Sequence, residues 1–383
     1  MRILFDYCIF QSQRIGGVSK SIVEMMTRLP SDIEVEVAVK ESDNIYLREN
    51  GSFGQYVSDP ERTFGKFLPN LHFKGKTRLY RALTKLNLIE DSGIKNRNYC
   101  ISRIKQGDYD VYQPTGYNSF FLPYNKKPFV FIVHDIIPEL FPDYYPRDFC
   151  DIQVRDILVK KAARIVVPSE NTKKDVLKWW KLDENKVEAI PWGAPDVTGI
   201  AFKKPADYPY ILFVGDRNRY KRFPFFVRET ATFLQRQTDV HVICTGKSFT
   251  EEENGLFLSL GLSGRFHSVF VSSEELFSLY HYALCFVYPS QYEGFGLPTL
   301  EAMACGCPVI LTDSSSFPEV GGEAALYIEE KDGHSNLTDL LVQLYDMPTG
   351  QREELAIRCI ERAGCFSWDE TAGKYASVYR SLL

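Results

Sequence analysis

The chain has 383 residues, is 44% hydrophobic and 25% charged, and carries a net charge of −5. That length suits two domains of roughly 100–200 residues each. The acidic balance argues against bulk nucleic-acid binding, which leaves a basic footprint. Nine scattered cysteines in so long a chain do not read as disulfide staples. Residues 1–10 (MRILFDYCIF) are too short and too polar for a signal peptide, and no run approaches the ~18 apolar residues of a membrane span. These features predict a reducing, cytoplasmic protein.

Taken in chain order, strands are expected at 2–6, 34–39, 111–113, 129–133, 164–167 and 187–190, with helices at 18–29, about 147–162 and 171–181. Continuous apolar strands between helices imply a parallel sheet covered on both faces. The stretch 191–209 holds Pro191, Pro195, Pro205 and Pro209 with Gly193 and Gly199 and has no clear periodicity, so it reads as a linker. A second alternation follows, with strands at 210–214, 240–244, 268–271, 284–288 and 308–311. Ser272 with Glu275 has the spacing of a helix capping box, as does Ser367 with Glu370 before the last helix. The fold class is α/β, two Rossmann-like doubly wound units in tandem. Ligands of open α/β sheets bind outside the carboxyl ends of the strands, so the cleft between the units is the expected site.

Residues 289–310, PSQYEGFGLPTLEAMACGCPVI, carry the strongest signal. Pro298 suits the start of a helix and Gly306 its end, which places a helix at about 298–305. Gly294 and Gly296 permit close backbone approach to a ligand. The helix amino-terminus offers unpaired N–H groups and positive potential to an anion. Glu293 lies in the loop and Glu301 about one turn inside the helix. Hydroxyls of a sugar nucleotide want acceptors and its diphosphate wants donors. The plain alternative is a loop–helix junction with two solvated glutamates.

Here the chain resembles the retaining glycosyltransferases of family 4, enzymes of the GT-B fold with two facing Rossmann-like domains. Their Glu, seven residues, Glu motif is matched by Glu293 and Glu301 within EGFGLPTLEAMACGCPVI. The likeness extends through FPEVGGEAALYI (317–328) and FSWDETA (366–372). It covers the second domain well and the first sparsely. It implies domains at 1–195 and 196–365, with a helix at 366–383 returning toward the first domain. Glu293 would contact hydroxyls of the transferred sugar and Glu301 the ribose. Backbone N–H groups around Gly294, Phe295, Gly296 and Leu297 would hold sugar hydroxyls and phosphate.

Three further segments fit the same likeness. In FVGDRNRYKRF (213–223), Arg217 and Lys221 match the family's phosphate-binding cations, with Arg219 and Arg222 crowding the loop; a solvated basic turn is the alternative. In IGGVSKSIVEM (15–25), Gly16 and Gly17 fall where the family has a glycine pair near donor phosphate and acceptor. The absence of G-x-G-x-x-G counts against a nicotinamide enzyme. In FIVHD (131–135), His134 and Asp135 resemble the family's His-Asp pair facing the donor sugar, although a histidine there can be an ordinary satisfied polar group.

The resemblance implies no metal and no cofactor beyond the donor substrate, for which GDP-mannose is the expectation, and transfer of a hexose, mannose, to a saccharide or lipid-linked acceptor. Asp108 and Asp110 read as a polar strand entry rather than a metal site, and Cys305 and Cys307 as small packing residues. Residues 73–105 hold nine Lys/Arg against Glu90 and Asp91, with Leu79, Leu83 and Leu86 at near-helical spacing. That pattern suggests peripheral contact with the inner face of a membrane, a lipid-diphosphate acceptor surface, or simply a solvated helix face. An epimerase on the same architecture and an inactive nucleotide-sugar-binding scaffold are the rival readings.

Overall fold

The computed structural model describes all residues except 61, 62, 64–66, 69, 70, 72, 86, 87, 90, 146–150 and 218. Leu86 and Glu90 of the basic segment, and positions 147–150 of the helix expected at 147–162, lie outside the described residues.

The first domain is built on β1 (Arg2–Phe5), β2 (Glu34–Val37), β3 (Val111–Gln113), β4 (Val130–Ile132), β5 (Arg164–Val167) and β6 (Val187–Ala189). They pair in parallel in the orders β2-β1-β3 and β4-β5-β6. A bridge between Tyr112 and Phe129 joins the two halves. The second domain holds β7 (Tyr210–Phe213), β8 (His241–Thr245), β9 (Phe266–Val269), β10 (Cys285–Tyr288), β11 (Val309–Thr312) and β12 (Leu326–Ile328). Its parallel sheet runs β12-β11-β10-β7-β8-β9. Chain order reverses between β7 and β10, the topological switch point at which an open sheet leaves a crevice.

β3, β4, β5, β7, β10 and β11 are buried along almost their whole length, as expected for strands covered by helices on both faces. The strand expected at 268–271 lies two residues earlier. Register with β8 pairs Val242 with Phe266 and Thr245 with Val269, and Phe270 is 78% exposed. The capping box of Ser272 and Glu275 is fully formed. Ser367 accepts from the Asp369 and Glu370 backbone.

Two chain crossings join the domains. The backbone N–H of Ala194 donates to Phe366 O at 2.9 Å, and a Cβ on Gly193 would come within 2.4 Å of the Trp368 nitrogen. Trp192, Phe295, Leu300, Val320 and Trp368 form a small apolar core at this junction. The final helix, Trp368–Arg380, places Tyr375, Ala376, Val378 and Tyr379 in the first domain's core. There the Tyr379 hydroxyl donates to Gln113 Oε1 at 2.9 Å.

The 73–105 segment divides into two helices of different character. Ser92–Gln106 is capped by Asp91 and buries Asn96, Cys100 and Ile104, so it is a structural helix of the first domain. Lys76–Lys85 exposes Leu79, and Phe73 and Leu88 on either side are exposed too. No helix among the described residues is long and apolar enough to cross a membrane.

Replacing Tyr379 by Phe removes the buried bond to Gln113 and leaves the amide oxygen unsatisfied. Urea melts of Tyr379→Phe are expected to show a loss of about 1–2 kcal/mol, with an unchanged slope against denaturant.

Candidate active site

The loops after β7 and β10 flank the switch point, and a buried ion pair links them. Lys221 follows β7 and Glu293 follows β10. Both are 9% exposed, and Lys221 Nζ donates to Glu293 Oε1 at 2.7 Å and to the Tyr288 hydroxyl. Glu293 is held from the backbone as well. Its N–H donates to Ser315 Oγ, and its carbonyl accepts from Ser316 Oγ.

The other cations of the loop turn elsewhere. Arg217 pairs with Glu253 at 2.7 Å, donates to the carbonyls of Lys247 and Ser248, and lies 4.8 Å over the Phe249 ring. Arg219 donates to Asp143 O, and Arg222 pairs with Glu330. Lys221 is the one that turns toward Glu293; Arg217 faces the 247–253 loop.

The helix after Glu293 runs Leu297–Ala304, with Gly296 as N-cap at φ +90°, Pro298 in its first turn, and Gly306 at φ +70° just past its end. Both glycines sit in the left-handed region that disfavours a side chain. In the first domain Gly16 caps the helix Gly17–Thr27. Neither helix has an N-cap side-chain bond or an acid in its first turn. A Cβ at Gly17 would touch Leu297 Cδ1 at 3.6 Å, so the two amino-terminal turns meet across the cleft. Each carries the equivalent of about half a positive charge.

Gly294 makes its close approach to protein. A Cβ there would stand 1.8 Å from the His134 carbonyl oxygen, and its own carbonyl accepts from Ser169 Oγ at 2.7 Å and Thr172 Oγ1 at 3.0 Å. Phe295 is buried in the interdomain core. Glu319 accepts from the backbone N–H groups of Glu170 and Asn171, at the amino-terminus of the helix Glu170–Trp180. Glu301 crosses the cleft to pair with Lys20 at 3.0 Å.

His134 lies 5.6 Å from the Trp192 ring, and its Nδ1 is buried with no hydrogen-bond partner among the described residues. Burial, with help from the nearby Arg155 guanidinium, lowers the imidazole to about 3, so it is neutral at pH 7. Burial pushes the adjacent Asp135 carboxyl up, and Arg155 partly offsets this. Arg155 is itself buried. It donates to Asp135 O at 2.8 Å and Glu139 Oε2 at 2.9 Å and lies 4.1 Å over the Tyr117 ring, while the Tyr117 hydroxyl accepts from the His134 N–H.

Lys20, Arg155, Tyr117 and Glu319 were not singled out from sequence. For Lys20 a signal existed, since a cation near the start of a helix opposes the macrodipole. For the others the partners are far apart in the chain. The metal-like decoys are engaged structurally: Asp108 pairs with Arg2 and Arg103, Asp110 accepts from the Arg2 N–H, and Cys305 and Cys307 are buried free thiols.

Comparison with known proteins accounts for both halves. Residues 15–196 match the model of Glycosyltransferase Family 4, and residues 200–363 match that of Glycosyl transferases group 1. The chain is a GT-B glycosyltransferase of the family 4-like kind. Anabaena HepE, solved with UDP and glucose, superposes on the whole chain with a TM-score of 0.70 at 16% identity, each chain being covered completely. Sucrose-phosphate synthase from Thermosynechococcus elongatus gives 0.70 at 20% identity, covering all of this chain and 98% of that one. These two likenesses concern the fold. In sequence, the transferase is 26% identical over 292 residues to O-antigen chain mannosyltransferase B of Escherichia coli, 72% of this chain and 76% of that protein. It is 28% identical over 204 residues to O-antigen chain mannosyltransferase RfbU of Salmonella typhimurium, 53% of this chain and 57% of that protein.

A histidine that is neutral when folded and ordinary when unfolded weakens the fold on the acid side. Between about pH 6.5 and about pH 3 the unfolded chain takes up a proton that the folded one refuses, so stability falls as pH drops through that window. His134→Asn is expected to lose less stability than the wild type between pH 7 and pH 5 in urea melts, and the wild-type His134 resonances are expected not to titrate over that range.

Proposed function

We propose that this transferase moves a mannosyl group from GDP-mannose to a hydroxyl of a saccharide or lipid-linked saccharide, with retention of anomeric configuration and without a metal ion. The observation that carries the reading is the meeting of two helix amino-termini, each with glycine as N-cap and no acid in its first turn, beside the Lys221–Glu293 pair at the switch point. A diphosphate supplies the missing negative charge there, and the sugar attached to it reaches Glu293. The mannosyltransferase relatives support the choice of sugar.

In this reading the bond between the anomeric carbon and the diphosphate oxygen breaks, leaving both electrons on the diphosphate. The acceptor oxygen forms the new bond on the same face, and its proton passes to the departing phosphate oxygen. The protein positions the partners and stabilises the growing charge through Lys221 and the helix termini of Gly17 and Leu297. Glu293 accepts from hydroxyls of the sugar, and Glu301 from those of the ribose. The neutral His134 imidazole adds no charge beside the sugar. Backbone N–H groups at Phe295, Gly296 and Leu297 complete the donor site. Arg217 contributes to the diphosphate only after exchanging Glu253 for it.

Glu293→Gln and Lys221→Met are each expected to lower turnover of GDP-mannose with an acceptor extract by at least about a hundredfold, the scale of one lost transition-state contact in a dry site, with far-UV circular dichroism unchanged. Wild-type rates in both variants would remove those assignments. Turnover without acceptor would favour an epimerase or hydrolase, and an inverted anomeric centre in the product would end the retaining mechanism.

The acceptor side carries a second part of the proposal. Lys74, Lys76, Arg78 and Lys85 accompany exposed Phe73, Leu79 and Leu88, a composition suited to the surface of an anionic bilayer, where each cation contributes about 1 kcal/mol. Vesicles containing phosphatidylglycerol are expected to sediment the protein at low salt and release it at high salt. Equal sedimentation with neutral vesicles, or none with either, would count against membrane contact.

A further inference from the structure

Lys20 stands near the start of the helix Gly17–Thr27, where a cation opposes the helix dipole. Its partner is in the other domain, with Nζ 3.0 Å from Glu301 Oε1 and both side chains less than a fifth exposed. Burial works against the ammonium, yet the adjacent carboxylate outweighs it and the Lys20 pKa ends above its ordinary value. Nζ also lies 5.5 Å over the Phe277 ring. A carboxylate has about four acceptor positions, so Lys20 on Oε1 leaves capacity for hydroxyl donors. On the Lys20 side of the pair is a cavity of about 690 Å³ between the domains, lined by Lys20, Tyr46, Ser273, Phe277 and Trp368 among others, with Glu301 just behind Lys20. That is ample for a nucleoside.

We infer that Lys20 is a positioning residue of the donor site, supplied by the opposite domain. It fixes the Glu301 carboxylate so that ribose hydroxyls can donate to it, and it thereby ties nucleoside binding to the closed arrangement of the two domains. The inference rests on the nucleotide-sugar reading above and adds the residue that orients Glu301.

Calorimetric titration tests it with GDP, UDP and their 2′,3′-dideoxy counterparts as probes, on the wild type, Lys20→Met, Lys20→Arg and Glu301→Gln. The wild type is expected to prefer the ribonucleotide roughly tenfold, the scale of a hydrogen bond to a charged group. Lys20→Met loses most of that preference through weaker ribonucleotide binding, while its affinity for the dideoxy probe is unchanged, which also shows the fold intact. Lys20→Arg restores much of it. A Lys20→Met protein that keeps the preference overturns the inference, as does one that binds ribonucleotide more tightly than wild type, the result expected if Lys20 competed with ribose. Glu301→Gln separates the two levels. If preference is lost in Glu301→Gln but kept in Lys20→Met, only the role of Lys20 fails. If the wild type shows no preference, or Glu301→Gln retains it, the assignment of Glu301 fails first.

Discussion

Two helix amino-termini, one from each domain, meet at Gly17 and Leu297, and little in their first turns offsets the positive potential they create. Glycine at both N-caps supplies no side-chain acceptor, no acid follows in either first turn, and a neutral amide, Gln13 Oε1, takes the Ser19 N–H. In an ordinary surface helix those N–H groups are satisfied by Ser, Asp or a capping box, as they are at Thr250 and Ser272 in this same chain. The helices Leu337–Tyr345 and Thr349–Gly364 also lack a side-chain cap bond; the two cleft helices share a glycine N-cap and face each other.

The acids at this place are paired with lysines. Glu293 is held by Lys221 from the same domain, Glu301 by Lys20 from the other. A buried carboxylate without a cation would be costly, so each lysine holds its acid in position. Closure reinforces this. The Gly294 backbone abuts His134 and hangs from Ser169 and Thr172, so any side chain at 294 would force the loop that carries Glu293 away from the first domain. The glycine attributed to ligand approach on sequence grounds is required by domain contact.

The second domain was largely legible because its signals are local. Strands such as YILF and CFVY are apolar throughout, and the helix after Glu293 is bracketed by Pro298 and Gly306. The strand expected at 268–271 was misplaced because SVFV looks more apolar than FHSV, whereas pairing with β8 decided the register. The first domain was harder to read for a physical reason. Its helix Ser92–Gln106 buries Asn96, whose amide accepts from the Lys40 and Glu41 N–H groups and donates to the Glu41 carbonyl. A polar residue on the inward face hides the helical period, so a structural helix read as part of a basic surface segment.

The site shows the same division. Glu293, Glu301 and Lys221 sit in short motifs whose chemistry is visible residue by residue. The direction in which Arg217 points is not, because it depends on Glu253 in another helix. Lys20 was in plain view four residues after Gly16, yet its meaning depends on Glu301, 281 positions away in sequence. Domain-crossing contacts of this kind leave no periodicity and no spacing, since the two segments meet only in the folded chain. What sequence can offer is the local anomaly: a cation at the wrong end of a helix, tolerated because a carboxylate from the facing domain outweighs the dipole.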